Sequence, residues 1–120
     1  MSFNRVRIST DATNKLQYLK KKTGLTPNYL ARIGFCLSLA EDGLPELATY
    51  DEDGQEFNRH TLTGDYDLLF MPSLKERMIK DGLDPESEFL PQFKGHLNRG
   101  ASLLNTRVKS LPDFYELVTK

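Results

Sequence analysis

The 120-residue chain has no tryptophan, a single cysteine and two histidines. One thiol excludes an intramolecular disulfide. Cys36, His60 and His96 are too few and too scattered for a structural zinc site. No apolar stretch reaches membrane-spanning length, and the N-terminal MSFNRVRIS lacks the apolar core of a signal peptide, so a soluble cytoplasmic protein is expected. No glycine-rich loop offers to cradle a phosphate. The stretch Thr49-x-Asp51-x-Asp53-Gly54 grazes the calcium-loop pattern, but Thr49 and His60 stand where that loop needs a carboxylate and a bidentate glutamate. Hydrophobic residues make up 38% of the chain, which suits a subunit that completes its core by association. There is no internal repeat and no low-complexity linker, so one domain over residues 1–120 is expected.

The net charge of −1 conceals a strong asymmetry. Residues 1–36 carry seven cations against one acid, a balance of +6. Residues 37–91 carry four against fourteen, a balance of −10, and residues 92–120 return to +3. The basic first segment points to a polyanion, and the acidic one is expected to face away from it. The acids Asp51, Glu52, Asp53 and Glu56 are read as a solvated loop rather than a nuclease-type magnesium site. Cys36 lies in the most apolar stretch, where a buried thiol would be inert.

What is present opens with NRVRIST, residues 4–10. Alternation puts Val6 and Ile8 on one strand face and Arg5, Arg7 and Ser9 on the other. Ser9, Thr10 or Asp11 can cap a helix over about 11–22, whose apolar face is Ala12, Leu16, Leu19 and Thr23 and which Gly24 ends. Lys15, Lys20, Lys21 and Lys22 occupy its flanks and outside, the last three suiting the negative end of the helix dipole. A second helix over 26–41 starts with Thr26 as cap and Pro27 in its first turn. Tyr29, Leu30, Ile33, Cys36, Leu37 and Ala40 form one apolar face, and Ala31, Phe35 and Leu39 a second nearly opposite. A helix apolar on two sides needs two partners, and a second copy of the same helix is the expected one. Beyond it come a polar loop around an Asp53-Gly54 turn with room for a short hairpin, a helix over 65–81 interrupted or restarted at Pro72, a helix over about 86–106 with Pro91 near its start, and a short C-terminal helix after Leu111-Pro112.

Strand, helix, helix with a cationic strand resembles a ribbon-helix-helix module. The expected fold is therefore mainly α, with a ribbon-helix-helix-like β-α-α unit over 1–43 and a loop plus further helices over 44–120 packed on it. In that architecture two chains pair their strands, and the second helix points its first N–H groups at a phosphate, which would make Thr26-Pro27-Asn28 a phosphate clamp. The segments NRVRIS, LKKKTGLTPNYLARI, CLSL and YDEDGQEFNRHTLTGDYDLLF together are similar to the DndE family, the small subunit of the bacterial DNA phosphorothioation (sulfur-modification) system. The resemblance runs from Asn4 to beyond Asp81. It implies a tetramer that binds nicked double-stranded DNA, with no catalytic residue, metal or cofactor of its own. The sulfur chemistry would belong to partner subunits, one like an adenylating sulfurtransferase and one like an ATPase. The residues expected at DNA are Arg5, Arg7, Lys15, Lys20, Lys21, Lys22 and Asn28. The competing readings are a ribbon-helix-helix transcription regulator or antitoxin, a small nuclease built on the acidic loop, and an assembly scaffold that uses the acidic segment.

Overall fold

The computed structural model describes residues 3–109 and 111–119. The order is β1 (Arg5–Arg7), α1 (Thr10–Thr23), α2 (Pro27–Ala40), a 3-10 turn (Leu47–Thr49), β2 (Glu56–Asn58), α3 (Arg59–Leu62), a 3-10 turn (Gly64–Tyr66), α4 (Asp67–Lys80), α5 (Phe89–Arg107) and α6 (Leu111–Thr119). The protein is mainly α, with a two-stranded sheet at its N-terminus.

Val6 and Ile8 are buried while Arg5 and Arg7 are exposed, as alternation requires. Ser9 departs from the expected outer face. Its hydroxyl caps α1 by accepting from the Ala12 N–H at 3.0 Å, and its own N–H donates to buried Asn98 Oδ1 at 2.8 Å. The strand thus ends because Ser9 is committed to starting the helix. α1 buries Ala12, Leu16, Leu19 and Thr23 and closes at Gly24, whose φ of 76° lies in the left-handed region.

The partner of β1 is a strand of the same chain. β2 runs antiparallel to it with Arg5 opposite Asn58, Val6 opposite Phe57 and Arg7 opposite Glu56. The two-chain ribbon expected of a ribbon-helix-helix module is replaced on this edge by a pairing across fifty residues. The Asp53-Gly54 turn does not close a local hairpin either. It docks on the β1–α1 junction, where the Gly54 N–H donates to the Ile8 carbonyl at 3.0 Å. A Cβ on Gly54 would come within 2.7 Å of the Ser9 carbonyl carbon, so only glycine allows the approach.

α2 is the largest departure from expectation. Its buried stripe is Leu30, Ala31, Gly34, Phe35 and Ser38, which takes members from both expected faces. The partner that covers it is α5, within the chain. Gly34 and Gly100 meet where the two helices cross, and a Cβ on Gly34 would lie 2.7 Å from the Gly100 carbonyl oxygen. Phe35 fills the space beside this crossing, its ring 5.3 Å from that of Phe93 and 5.6 Å from that of Phe70. Ile33, Leu37 and Leu39 remain half-buried, and Cys36 and Ala40 are exposed on the outer flank. Cys36 is therefore not the buried thiol expected, although partial covering still pushes its pKa up.

α4 runs unbroken through Pro72. Pro72 faces solvent, and Leu68, whose carbonyl it leaves without a helical partner, is 96% exposed, so water can satisfy the oxygen. Among the described residues no helix is long and apolar enough to cross a membrane.

The α2–α5 crossing yields a direct test. In an exposed helix, Gly→Ala stabilises by about 0.5–1 kcal/mol. Gly34→Ala or Gly100→Ala should instead destabilise by about 1–3 kcal/mol in urea denaturation, because each added methyl meets the opposing backbone. Unchanged or raised stability in both variants would show that the helices can separate without loss.

Candidate nucleic-acid interface

Three features of the sequence were expected to meet phosphates: the strand arginines, the α1 lysines and the start of α2. β1 presents Arg5 and Arg7 together on its exposed face. They are not free. Glu56 reaches Arg5 NH1 and Arg7 NH2 at 3.5 Å each, and Arg7 NH1 donates to the Gly54 carbonyl at 3.0 Å.

Lys15 is diverted into the fold. Its ammonium pairs with Asp11 at 2.8 Å and donates to Ser102 Oγ at 3.1 Å, tying α1 to α5. Lys20, Lys21 and Lys22 are exposed on the last turn of α1, and no carboxylate pairs with them among the described residues. Lys22 stands 5.4 Å over the Tyr18 ring. At 1.5 Å per residue these lysines stand about 15 Å along the helix from the β1 end. Arginines and lysines are thus two basic patches at opposite ends of α1.

At the start of α2, Thr26 Oγ1 accepts from the Tyr29 N–H at 3.3 Å, confirming the cap. The Asn28 side chain is half-buried, with Oδ1 turned inward and no hydrogen-bond partner. That oxygen does not face solvent, so only the amide nitrogen end is left for a phosphate.

The structure adds a cation that the charge count included but the expected DNA contacts did not. Arg32 has no carboxylate partner among the described residues and donates to the Leu62 carbonyl at 3.0 Å. Its guanidinium lies 5.8 Å from the Tyr29 ring centre and 5.1 Å from that of Tyr66. Its isolation from acids depends on α3 and on residues thirty positions away, which no local motif discloses.

The acidic loop is largely structural. Asp51 Oδ1 accepts from the Thr10 N–H at 3.0 Å, the Thr10 hydroxyl at 3.0 Å and the Asp53 N–H at 2.9 Å. Hydrogen bonds from the Asp53 and Thr10 backbone lower its pKa. Glu52 pairs with Lys94. Among the described residues no three His, Cys, Asp or Glu side chains converge on a metal-sized site.

Among the described residues Ser38 and His96 make a pairing that looks catalytic, with Oγ 2.8 Å from Nδ1. Both are fully buried. Arg99 Nε donates to Ser38 Oγ at 2.8 Å, so that oxygen is held between the guanidinium and the imidazole. Arg99 and Arg77 also donate to the carbonyls of Ser38, Leu39 and Gly43, closing the C-terminal end of α2. The cluster is a helix clamp. Of the remaining C-terminal cations, Arg107 pairs with Glu41 at 3.4 Å and the Lys109 ammonium donates to the Asn105 carbonyl at 2.9 Å.

A family model described as DNA sulphur modification protein DndE matches residues 5–111 of the chain. No curated protein matches it. Among solved structures it is similar to DndE from Escherichia coli B7A, described as involved in DNA phosphorothioation modification, with 25% identity and a TM-score of 0.69 over 87% of this chain and 98% of that one. It is also similar to a glycine-to-lysine mutant of DndE, with 24% identity and a TM-score of 0.65 over 87% of this chain and 99% of that one.

The clamp sets a pH dependence. Burial, then Arg99 and Arg77, push the His96 pKa from 6.5 down to about 4. The unfolded chain therefore binds the proton that the folded chain refuses, so stability is full above about pH 6.5 and falls as the pH drops towards 4. The loss should be on the order of 3 kcal/mol. Denaturant titrations across this window should show that slope, and His96→Gln should flatten it. An equal slope in the variant would assign it to other groups.

Proposed function

The chain belongs to the DndE family of DNA sulphur modification proteins, and from that membership we propose that it is a non-catalytic, cytoplasmic subunit of the phosphorothioation machinery that binds double-stranded DNA by its phosphates. The observation that carries the DNA-binding part is the exposed Lys20-Lys21-Lys22 run, left without carboxylates while most acids of the chain are engaged elsewhere. Lysine is a mobile point charge on a long stem. It suits phosphate contacts, which position a protein, better than base edges, where the planar fork of arginine or an amide is wanted.

A preference for nicked duplex is part of this proposal, as is work alongside other subunits that perform the sulfur transfer. The buried Ser38–His96 clamp supports a non-catalytic role, since neither group is open to a substrate. A sequence-reading regulator is the second reading, and the placement of Arg32 beside two tyrosines, with no carboxylate partner among the described residues, is what favours it. A selection from random DNA that returned a palindrome would decide for it.

Replacing Lys20, Lys21 and Lys22 together by Ala should weaken binding alike on intact, nicked and unrelated duplexes. The slope of log affinity against log salt should flatten by about 2–3, at about 0.9 per lost contact. Circular dichroism should stay unchanged, because none of the three lies on the buried face of α1. Unchanged affinity and slope in gel shifts would place the DNA elsewhere.

We also propose that the protein is a homo-oligomer, a tetramer. Leu68 is 96% and Leu69 61% exposed on α4, beside the uncovered flank of α2, and a second copy would cover such apolar surface. Sedimentation at micromolar concentration should give a species larger than the monomer, and a stable monomer would overturn this.

A further inference from the structure

We infer that Arg5 and Arg7 form a seat for one DNA phosphate and that Glu56 holds this seat closed until a phosphate displaces it. The inference rests on the DNA-binding reading above and deepens it.

The antiparallel register places Glu56 directly opposite Arg7 and diagonally across from Arg5 on the solvent face of the ribbon. One carboxylate therefore serves both guanidinium groups, with Oε2 on Arg5 and Oε1 on Arg7, each at 3.5 Å. Two oxygens of one anion divided between two guanidiniums is also how a phosphodiester would present its two non-bridging oxygens. Glu56 occupies the position of that anion.

The closure is loose. Both contacts are at the outer limit of a hydrogen bond, and the side chains are 69%, 47% and 37% exposed for Arg5, Arg7 and Glu56. Arg77 and Asp81 are a contrast, at 2.8 Å and 11% and 18% exposed. That pair is part of the fold, whereas the Glu56 contacts are of the exposed class that contributes little to stability and yields to competition. Arg7 NH1 is steadied by the Gly54 carbonyl at 3.0 Å, so the fork stays in place when the carboxylate leaves. With two cations and one acid the seat is positive even when closed, which draws DNA in before the exchange.

The test is a double-mutant cycle on the full chain with a labelled duplex in a salt series. Glu56→Gln keeps the size of the side chain and removes its charge. It should tighten duplex binding about fivefold and steepen the salt slope by about one. Glu56→Ala, as a second variant, should act in the same direction, and thermal melts should show both folded. With Arg5→Gln and Arg7→Gln already in place, Glu56→Gln should give no gain. An equal gain in both backgrounds would mean general charge repulsion and overturn the seat, as would no gain in the wild-type background. If wild type and Glu56→Gln both lacked salt-dependent DNA binding, the DNA-binding reading would fail first, and the triple-lysine variant would show no change to match.

Discussion

Everything in the fold depends on how closely α2 approaches α5. Gly34 and Gly100 remove the two side chains that would hold these helices apart, so backbone meets backbone at the crossing. One turn further, Ser38 is then near enough for His96 and Arg99 to reach it, and Arg99 and Arg77 can close the carbonyls at the end of α2. Phe35 is wedged against Phe93 and Phe70 at the same level, which brings α4 onto the pair. A polar cluster buried this deeply is tolerable only because nearly every member is paired, the Nε2 of His96 being the exception. Both the apolar and the polar halves of the core therefore rest on two residues without side chains.

The same closeness decides the electrostatics. The sequence divides into a basic start, an acidic middle and a basic end, yet the fold interleaves them. The acidic middle returns to the first strand through Glu56, to the start of α1 through Asp51 and to α5 through Glu52 and Glu41. Most of the asymmetry cancels locally. What survives most fully is the last turn of α1, where no carboxylate pairs with the three lysines among the described residues. A weakly acidic protein is left with a strongly basic corner, and a pI near 6.1 describes neither.

Local signals were legible in the sequence wherever one residue decides the geometry. Ser9 or its neighbours and Gly24 marked both ends of α1, and Thr26 and Pro27 the start of α2, to within a residue, since caps act through hydrogen bonds two or three positions away; Gly43 was expected to end α2, which stops at Ala40. The inward face of β1 followed from alternation alone. Pairings across long separations were not legible. β2 is three residues long and carries no strand pattern of its own, and its partner lies fifty residues back. The stripe of α2 was misread because a helix that receives a glycine crossing buries Gly34 and Ser38, residues that hydropathy does not count as core. Pro72 read as a break, but an exposed face lets water stand in for the missing N–H. For the interface, Lys20, Lys21 and Lys22 stood out by density, whereas Lys15, Arg5 and Arg7 could not be separated from them until the positions of Asp11, Ser102 and Glu56 were known.

The placement of the lysines has a physical logic of its own. A helix C-terminus carries partial negative charge, which favours lysine there and would by itself repel a phosphate. Two features remove that repulsion. Gly24 turns the chain so that its N–H donates to the Lys20 carbonyl at 2.8 Å, taking up one of the exposed oxygens. Three residues on, α2 begins, and its positive end lies beside the negative end of α1. Opposite half-dipoles at neighbouring helix ends weaken each other, and long lysine stems reach charge into solvent. The corner then presents exposed ammonium groups, with Lys22 5.4 Å over the Tyr18 ring to limit its wandering. Arg5 and Arg7 meet the opposite condition at the far end of α1, where a carboxylate is already seated between them. The two ends of one helix therefore differ in kind, one carrying ammonium groups without a carboxylate partner among the described residues and the other two guanidinium groups that share one carboxylate.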